Sequence, residues 1–122
     1  MDKYVIVLFG GGLGSVARYV VGTAIASRVG GRFPLGTMVI NLSGSFLIGV
    51  LMTLLTERLP HPTLRLLLVT GFLGGYTTFS TFEYETFQAV QGGAAWIGML
   101  NVVGSVSLGY IAVWLGAAMT RQ

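Results

Sequence analysis

Cysteine is absent from this 122-residue chain, which excludes a disulfide frame, a thiolate nucleophile and a cysteine-ligated metal site. Charge is scarce as well. Only 9% of residues are Asp, Glu, Lys or Arg, where a soluble domain carries roughly a quarter. Seven basic and four acidic side chains cannot clothe a water-facing surface of this size. The one histidine, His61, sits between Pro60 and Pro62, and with no nucleophile–base set in view the chain does not read as an enzyme. Basic clusters interleaved with aromatics are also missing. The net charge of +3 therefore reads as loop charge near lipid headgroups, not as a nucleic-acid surface. Proline is confined to Pro34, Pro60 and Pro62, all in expected connectors, where no helix hydrogen bond is lost.

What is present is apolar. Hydrophobic residues make up 53% of the chain, the mean hydropathy is +0.79, and the apolar residues run along nearly its whole length, so the solvent is expected to be lipid. A helix crosses the hydrocarbon core with about 20 apolar residues. Four segments qualify: Tyr4 to about Ser27, about Thr37 to Leu55, about Leu64 to Val90, and about Ala95 to Met119. The expectation is a single all-α membrane domain over residues 1–122 with four transmembrane helices, the third broken near Gly74–Thr78. The connectors "SRVGGRFPLG", "TERLPHP" and "QGG" separate them. The first segment does not read as a signal peptide, because it is long, lacks a basic leader and is followed by further spans. An even number of spans puts both termini on one side, with Lys3, Arg58, Arg65 and Arg121 there and Arg28 and Arg32 opposite. That is a weak positive-inside bias, compatible with a single orientation or with insertion both ways.

Small and polar residues recur at helical spacing. Gly10, Gly14, Arg18 and Gly22 share one face of the first span, and small residues so spaced let helices approach closely. The local "GGGLGS" is no dinucleotide loop, since Ser15 replaces the last glycine and no strand precedes it. Arg18 has two readings, a residue lining an aqueous vestibule or one snorkelling to the headgroups. In the second span Thr37, Asn41 and Ser45 fall at i, i+4 and i+8, beside Gly44. In the fourth, Asn101, Ser105 and Gly109 repeat the spacing. An amide at mid-span depth must meet another helix or a cavity. Each stripe alone reads as interhelical glue; two matching stripes also fit a polar path.

The third span is the unusual one. In "GFLGGYTTFSTF", Gly71 to Phe82, Gly74 and Gly75 weaken a helix, and Thr77, Thr78, Ser80 and Thr81 offer the backbone competing hydrogen bonds. Irregular backbone at membrane depth survives only where protein or a water-filled cavity surrounds it. A break frees carbonyls that can hold a small cation and starts a new N-terminus that favours an anion. Past the break, Phe79, Phe82 and Thr86 lie near one face, and Thr78, Thr81 and Glu85 near another. Aromatic edges are electropositive and can face an anion; equally, the rings can pack and the hydroxyls can bond back to their own helix.

"GFLGGYTTFSTF" resembles the central motif of the Fluc (CrcB) family of small fluoride channels. "GGGLGSVARY", Gly10 to Tyr19, and "GTMVINLSGSFLIG", Gly36 to Gly49, resemble its first- and second-helix signatures, so the likeness covers almost the entire chain. The fourth span matches only through small and polar residues. The resemblance implies a multi-pass protein of a bacterial or archaeal plasma membrane, a dual-topology antiparallel homodimer with two pores through which fluoride leaves the cytoplasm passively. It implies that Phe79 and Phe82 line the pore, that Asn41 donates to the ion, and that Ser80, Thr81 and Ser105 form a polar track. Arg18 takes the place of the family's vestibule arginine, with Thr37, Glu85 and Asn101 as accessory residues. A structural sodium ion at the dimer centre is implied to bind backbone carbonyls of Gly74 and Thr77 from both copies. Its partners are then fluoride, the lipid bilayer and a second copy of itself, with no nucleic acid.

The competing expectation is a small four-helix multidrug or cation exporter, which shares the length and span count. Such an exporter needs a membrane-embedded acid in its first helix, and the first span here offers Arg18 and no acid. A non-transporting assembly subunit would leave the hydroxyl–phenylalanine pattern after the break unexplained.

Overall fold

The computed structural model describes residues 2–122, and among them every regular element is helical. Helix α1 spans Lys3–Arg28. Its start is fixed by Asp2, whose carboxylate accepts from the Tyr4 amide at 2.7 Å, an N-cap that meets one of the orphan N–H groups of a first turn. Helix α2 covers Leu35–Met52 and continues as wider π-helical turns over Thr53–Arg58. Pro62 opens the next helix instead of sitting in the connector. It is the first residue of α3, Pro62–Arg65, where a missing N–H costs nothing. The His61 ring accepts from the Leu64 amide at 3.1 Å and caps that turn.

From α3 the chain runs through π-helical turns, Leu66–Leu73, into a short α4, Gly74–Tyr76. It stops there and restarts as α5, Ser80–Gln91. After Gly93, at φ +85°, the long α6 covers Ala95–Arg121. Three stretches are long and apolar enough to cross a membrane by length and composition: Lys3–Arg28, Leu35–Arg58 and Ala95–Arg121. The third apolar segment is split into two shorter helices.

The break lies at Thr77–Phe79, at the far end of the expected stretch, and the two glycines do not make it. Gly74 has ordinary helical angles, φ −61° and ψ −35°, and Gly75 lies within α4. The glycines serve a contact instead. A Cβ at Gly14 would overlap the Phe72 carbonyl oxygen, and one at Gly75 would overlap the Gly11 carbonyl. The glycine stripe of α1 is therefore a packing face, pressed backbone to backbone against the third segment, as small residues permit in lipid. A second such approach joins α2 to α6, where a Cβ at Gly116 would overlap the Phe46 carbonyl.

A small apolar core of Ile40, Leu73 and Tyr76, with Phe72, Ile48 and Val21 packed on it, sits beside the break. Phe72 and Tyr76 stack with centroids 5.8 Å apart, and the Tyr76 hydroxyl lies 2.9 Å from the Ser43 hydroxyl. Most other large apolar side chains, Phe9, Tyr19, Val106 and Trp114 among them, point outward, the inverse of a water-soluble fold. At one end of the bundle Arg121 makes two bonds to Glu57, at 2.7 and 3.0 Å, and Arg58 donates to the Thr120 carbonyl at 2.9 Å. These tie the last turn of α6 to the end of the second apolar helix.

Candidate functional site

Breaking a helix inside an apolar bundle strands backbone groups that water would otherwise satisfy. At Thr77 the backbone becomes extended, φ −80° and ψ 156°, and neighbouring side chains take up several of the released groups. The Leu73 carbonyl accepts from the Thr77 amide at 3.0 Å and from its hydroxyl at 2.9 Å. The Gly75 carbonyl accepts from Arg18 Nε at 3.1 Å. Asn41 meets the partly buried Thr78 with both ends of its amide: Oδ1 accepts the Thr78 N–H at 2.9 Å, and Nδ2 donates to the Thr78 carbonyl at 2.8 Å. That pairing also determines which way the Asn41 amide faces, since only one orientation matches donor to acceptor twice. The Thr78 hydroxyl accepts from the Thr81 amide at 3.3 Å in the opening turn of α5.

Some carbonyls are left over. Among the described residues no donor reaches the Gly74, Tyr76 or Thr77 oxygen. Gly74 and Thr77 line a cavity of about 400 Å³ shared with Asn41, Ser45, Thr78 and Phe79. No cluster of His, Asp or Glu able to hold a metal occurs among the described residues, so a cation here would meet carbonyl oxygens. Such a hard donor set, on unwound backbone, fits an alkali ion.

Arg18 resolves in favour of the interior. It is partly buried and donates to the end of a half-helix, where the backbone dipoles leave partial negative charge. It lines a second cavity, about 390 Å³, with Thr37, Ile40, Thr78 and Thr81. Across that region Thr37 donates its hydroxyl proton to Glu85 Oε1, joining two residues 48 positions apart in the chain.

Phe79 and Phe82 meet at the restart with centroids 5.9 Å apart and planes tilted by 52°. Their surroundings differ: Phe82 is 6% exposed and Phe79 75% exposed. Ser80 and Thr81 are exposed too. Asn41 lines one cavity with Phe79, and its amide keeps one N–H free, because Nδ2 carries two and Thr78 takes one.

The fourth-span stripe joins α5. Ser105 Oγ donates to Asn101 Oδ1 at 3.4 Å, Asn101 Nδ2 to Thr86 Oγ1 at 3.0 Å, and Thr86 Oγ1 to the Phe82 carbonyl at 2.9 Å. Asn101 is 1% exposed, so this chain holds its amide in a fixed direction. No hydrogen bond among the described residues links it to Asn41, although the two stripes meet farther along, where Gly109 lies against the Ser45 hydroxyl.

The comparisons with known proteins bear on the same residues. Residues 5–117 match the family described as "CrcB-like protein, Camphor Resistance (CrcB)". The chain belongs to the CrcB family. It is 66% identical over 121 residues to a protein of Solibacter usitatus (strain Ellin6076) named "Fluoride-specific ion channel FluC", covering 98% of this chain and 99% of that one. A protein of the same name from Acidobacterium capsulatum is 51% identical over 98% of this chain and 97% of its own length. One from Coxiella burnetii (strain CbuK_Q154) is 43% identical over 96% of each.

Within this CrcB-family chain, the structure adds residues that the sequence reading did not single out as site residues. Thr78 pairs its backbone with Asn41 and lends its hydroxyl to α5; its place three residues before Thr81 is the spacing of a capping residue. Thr86 is the joint between Asn101 and Phe82, and its helical spacing from Phe82 was the available signal. The Gly75 carbonyl, as the acceptor of Arg18, carries no sequence signal at all.

Proposed function

We propose that this protein is a fluoride-selective ion channel, not an enzyme, giving passive export of cytoplasmic fluoride. The observation that carries the reading is the near-full-length identity to relatives named fluoride-specific ion channels, together with a broken third segment whose backbone is braced by Asn41 and Arg18. Fluoride is small and strongly hydrated, so a pathway must replace its water with donors. The free N–H of Asn41, the hydroxyls of Ser80, Thr81 and Ser105, and the edges of Phe79 and Phe82 are donors of graded strength. A narrow pathway lined by them would discriminate by size and by donor field, as channel filters do.

We further propose a plasma-membrane dimer of two antiparallel copies, each chain crossing four times with the broken segment as the third crossing. Three observations favour it. Phe79 and Ser80 lie open on one chain, Gly74 and Thr77, whose carbonyls have no donor, line a cavity, and charge bias toward either side is slight. A second copy covers the exposed phenylalanine and completes each of two pores. It also brings a second pair of carbonyls to the first, where Gly74 and Thr77 of both copies would hold a structural sodium ion. The exporter reading finds no membrane-embedded acid in α1, whose polar residue at depth is Arg18, already bound to Gly75.

The test is halide efflux from liposomes containing purified protein, read with fluoride and chloride electrodes in sodium and in sodium-free buffer. Rapid fluoride efflux without chloride efflux, lost when sodium is removed, is the expected result. Chloride passing as readily as fluoride, or no fluoride flux at all, overturns the channel reading; flux indifferent to sodium removes the ion from it.

A further inference from the structure

The end of the bundle where α1 stops and α6 begins carries a groove that the ion pathway does not use. Its volume is about 480 Å³, and its walls are Val29, Phe33, Leu35, Trp96 and Ile97, with Arg32 among the lining residues. The connector after α1 thus lies across the first turn of α6 and leaves an apolar slot beneath it. Trp96 is exposed and sits one residue into α6, at the depth where indole rings mark a membrane–water boundary.

Two arginines stand at the rim of this groove. Arg28 closes α1 and Arg32 follows four residues later in the connector, both exposed. The nearest acid is Glu85, which shares a neighbouring cavity with Arg32 and accepts from the Thr37 hydroxyl, but among the described residues it forms no ion pair with Arg32. A second copy of this chain has little to offer the arginines. Of its four acids, Asp2 caps α1, Glu57 is bound by Arg121 and Glu85 accepts from Thr37, leaving Glu83. A phospholipid has both things the site lacks, an apolar chain for the slot and an anionic headgroup for its rim.

We infer that the groove between the 29–34 connector and the start of α6 is a binding site for an anionic phospholipid, its acyl chain along Val29, Leu35, Trp96 and Ile97 and its phosphate at Arg32, with Arg28 adding to the field. Basic residues at a membrane surface attract anionic lipid in this way. The inference rests on membrane embedding and not on the choice of transported ion.

The experiment is native mass spectrometry of the purified protein in detergent, given equal amounts of phosphatidylglycerol and phosphatidylcholine. Phosphatidylglycerol is expected to be retained preferentially. Arg32→Gln should cut that preference about fivefold, the worth of one arginine near an anionic surface, and adding Arg28→Gln should cut it further. Arg65→Gln, a charge removed at the other end of the bundle, should leave it unchanged. Equal retention of the two lipids, or an equal loss with Arg65→Gln, overturns the site. The native chain has no cysteine, so Val29→Cys supplies a clean second measurement. Disulfide crosslinking of two copies through Cys at that position would put protein in the groove and refute a lipid there. None of these readouts depends on fluoride flux, so failure of the lipid site and failure of the channel reading are separate results.

Discussion

Replacing Asn41 with Ala removes both ends of the amide that braces the break. Each end makes a bond of ordinary length to one backbone residue, 2.9 Å to the Thr78 N–H and 2.8 Å to its carbonyl. Water does not reach a partly buried peptide in an apolar bundle freely, so its N–H and C=O are both left wanting. Removing one partner of a buried hydrogen bond costs about 1–3 kcal/mol. Pairs measured within membrane proteins average about 0.6 and reach about 1.7 kcal/mol, because the chain finds substitutes. Two bonds at the lower membrane scale give about 1–3 kcal/mol for Asn41→Ala. At about 2 kcal/mol the Thr78 amide should exchange its hydrogen roughly 30-fold faster than in the native protein, while amides in the middle of α1 keep their protection. Asn41→Asp separates bracing from mere polarity: a carboxylate still accepts the Thr78 N–H but faces the Thr78 carbonyl with no proton to donate, so it should be no better than Ala. Hydrogen exchange read by mass spectrometry across residues 74–82 is the direct assay, with fluoride efflux from liposomes alongside. Unchanged exchange at Thr78 in Asn41→Ala would refute the brace. Normal fluoride efflux with accelerated exchange would keep the brace and remove Asn41 from the ion pathway.

Gly14→Ala should displace α1 from the third segment and lower stability by about 1–3 kcal/mol, because the new Cβ overlaps the Phe72 carbonyl. Gly12→Ala, with nothing within 4 Å of its Cβ, should be neutral, and thermal unfolding in detergent compares the two. Phe79→Ile and Phe82→Ile should both cut fluoride efflux, but only Phe82→Ile should also lower thermal stability, since Phe82 is buried and Phe79 is not. Normal efflux from both variants removes the rings from the pathway. Thr86→Val should leave the Asn101 amide without its acceptor at a cost of about 1–3 kcal/mol. Thr86→Ser should restore most of it, and equal stability of the two variants would show that the hydroxyl has no such role.

Much of this protein could be read in one dimension because lipid is a demanding solvent. Scarce charge, apolar runs of spanning length and prolines kept to connectors or a helix's first position determine the helices, and the observed ends differ from the expected ones by a few residues. The GxxxGxxxR stripe of the first span determined a packing face, since only small residues let two backbones touch. The motifs around Asn41 and Phe79–Phe82 marked the residues that gather at the break.

Other features depend on contacts between residues far apart in the chain. The sequence puts the break near Gly74–Thr78, and within that stretch Gly74 and Gly75 remain helical while the chain opens at Thr77–Phe79. Glycine lowers the cost of leaving a helix, but Gly75 is held inside one by its contact with Gly11. The structure gives Arg18 the Gly75 carbonyl as acceptor, and it pairs both ends of the Asn41 amide with Thr78, leaving one N–H over. Helical periodicity says which residues share a face. It does not say which stranded backbone groups of another helix that face must satisfy, and at this break that need decides where Arg18 and Asn41 point.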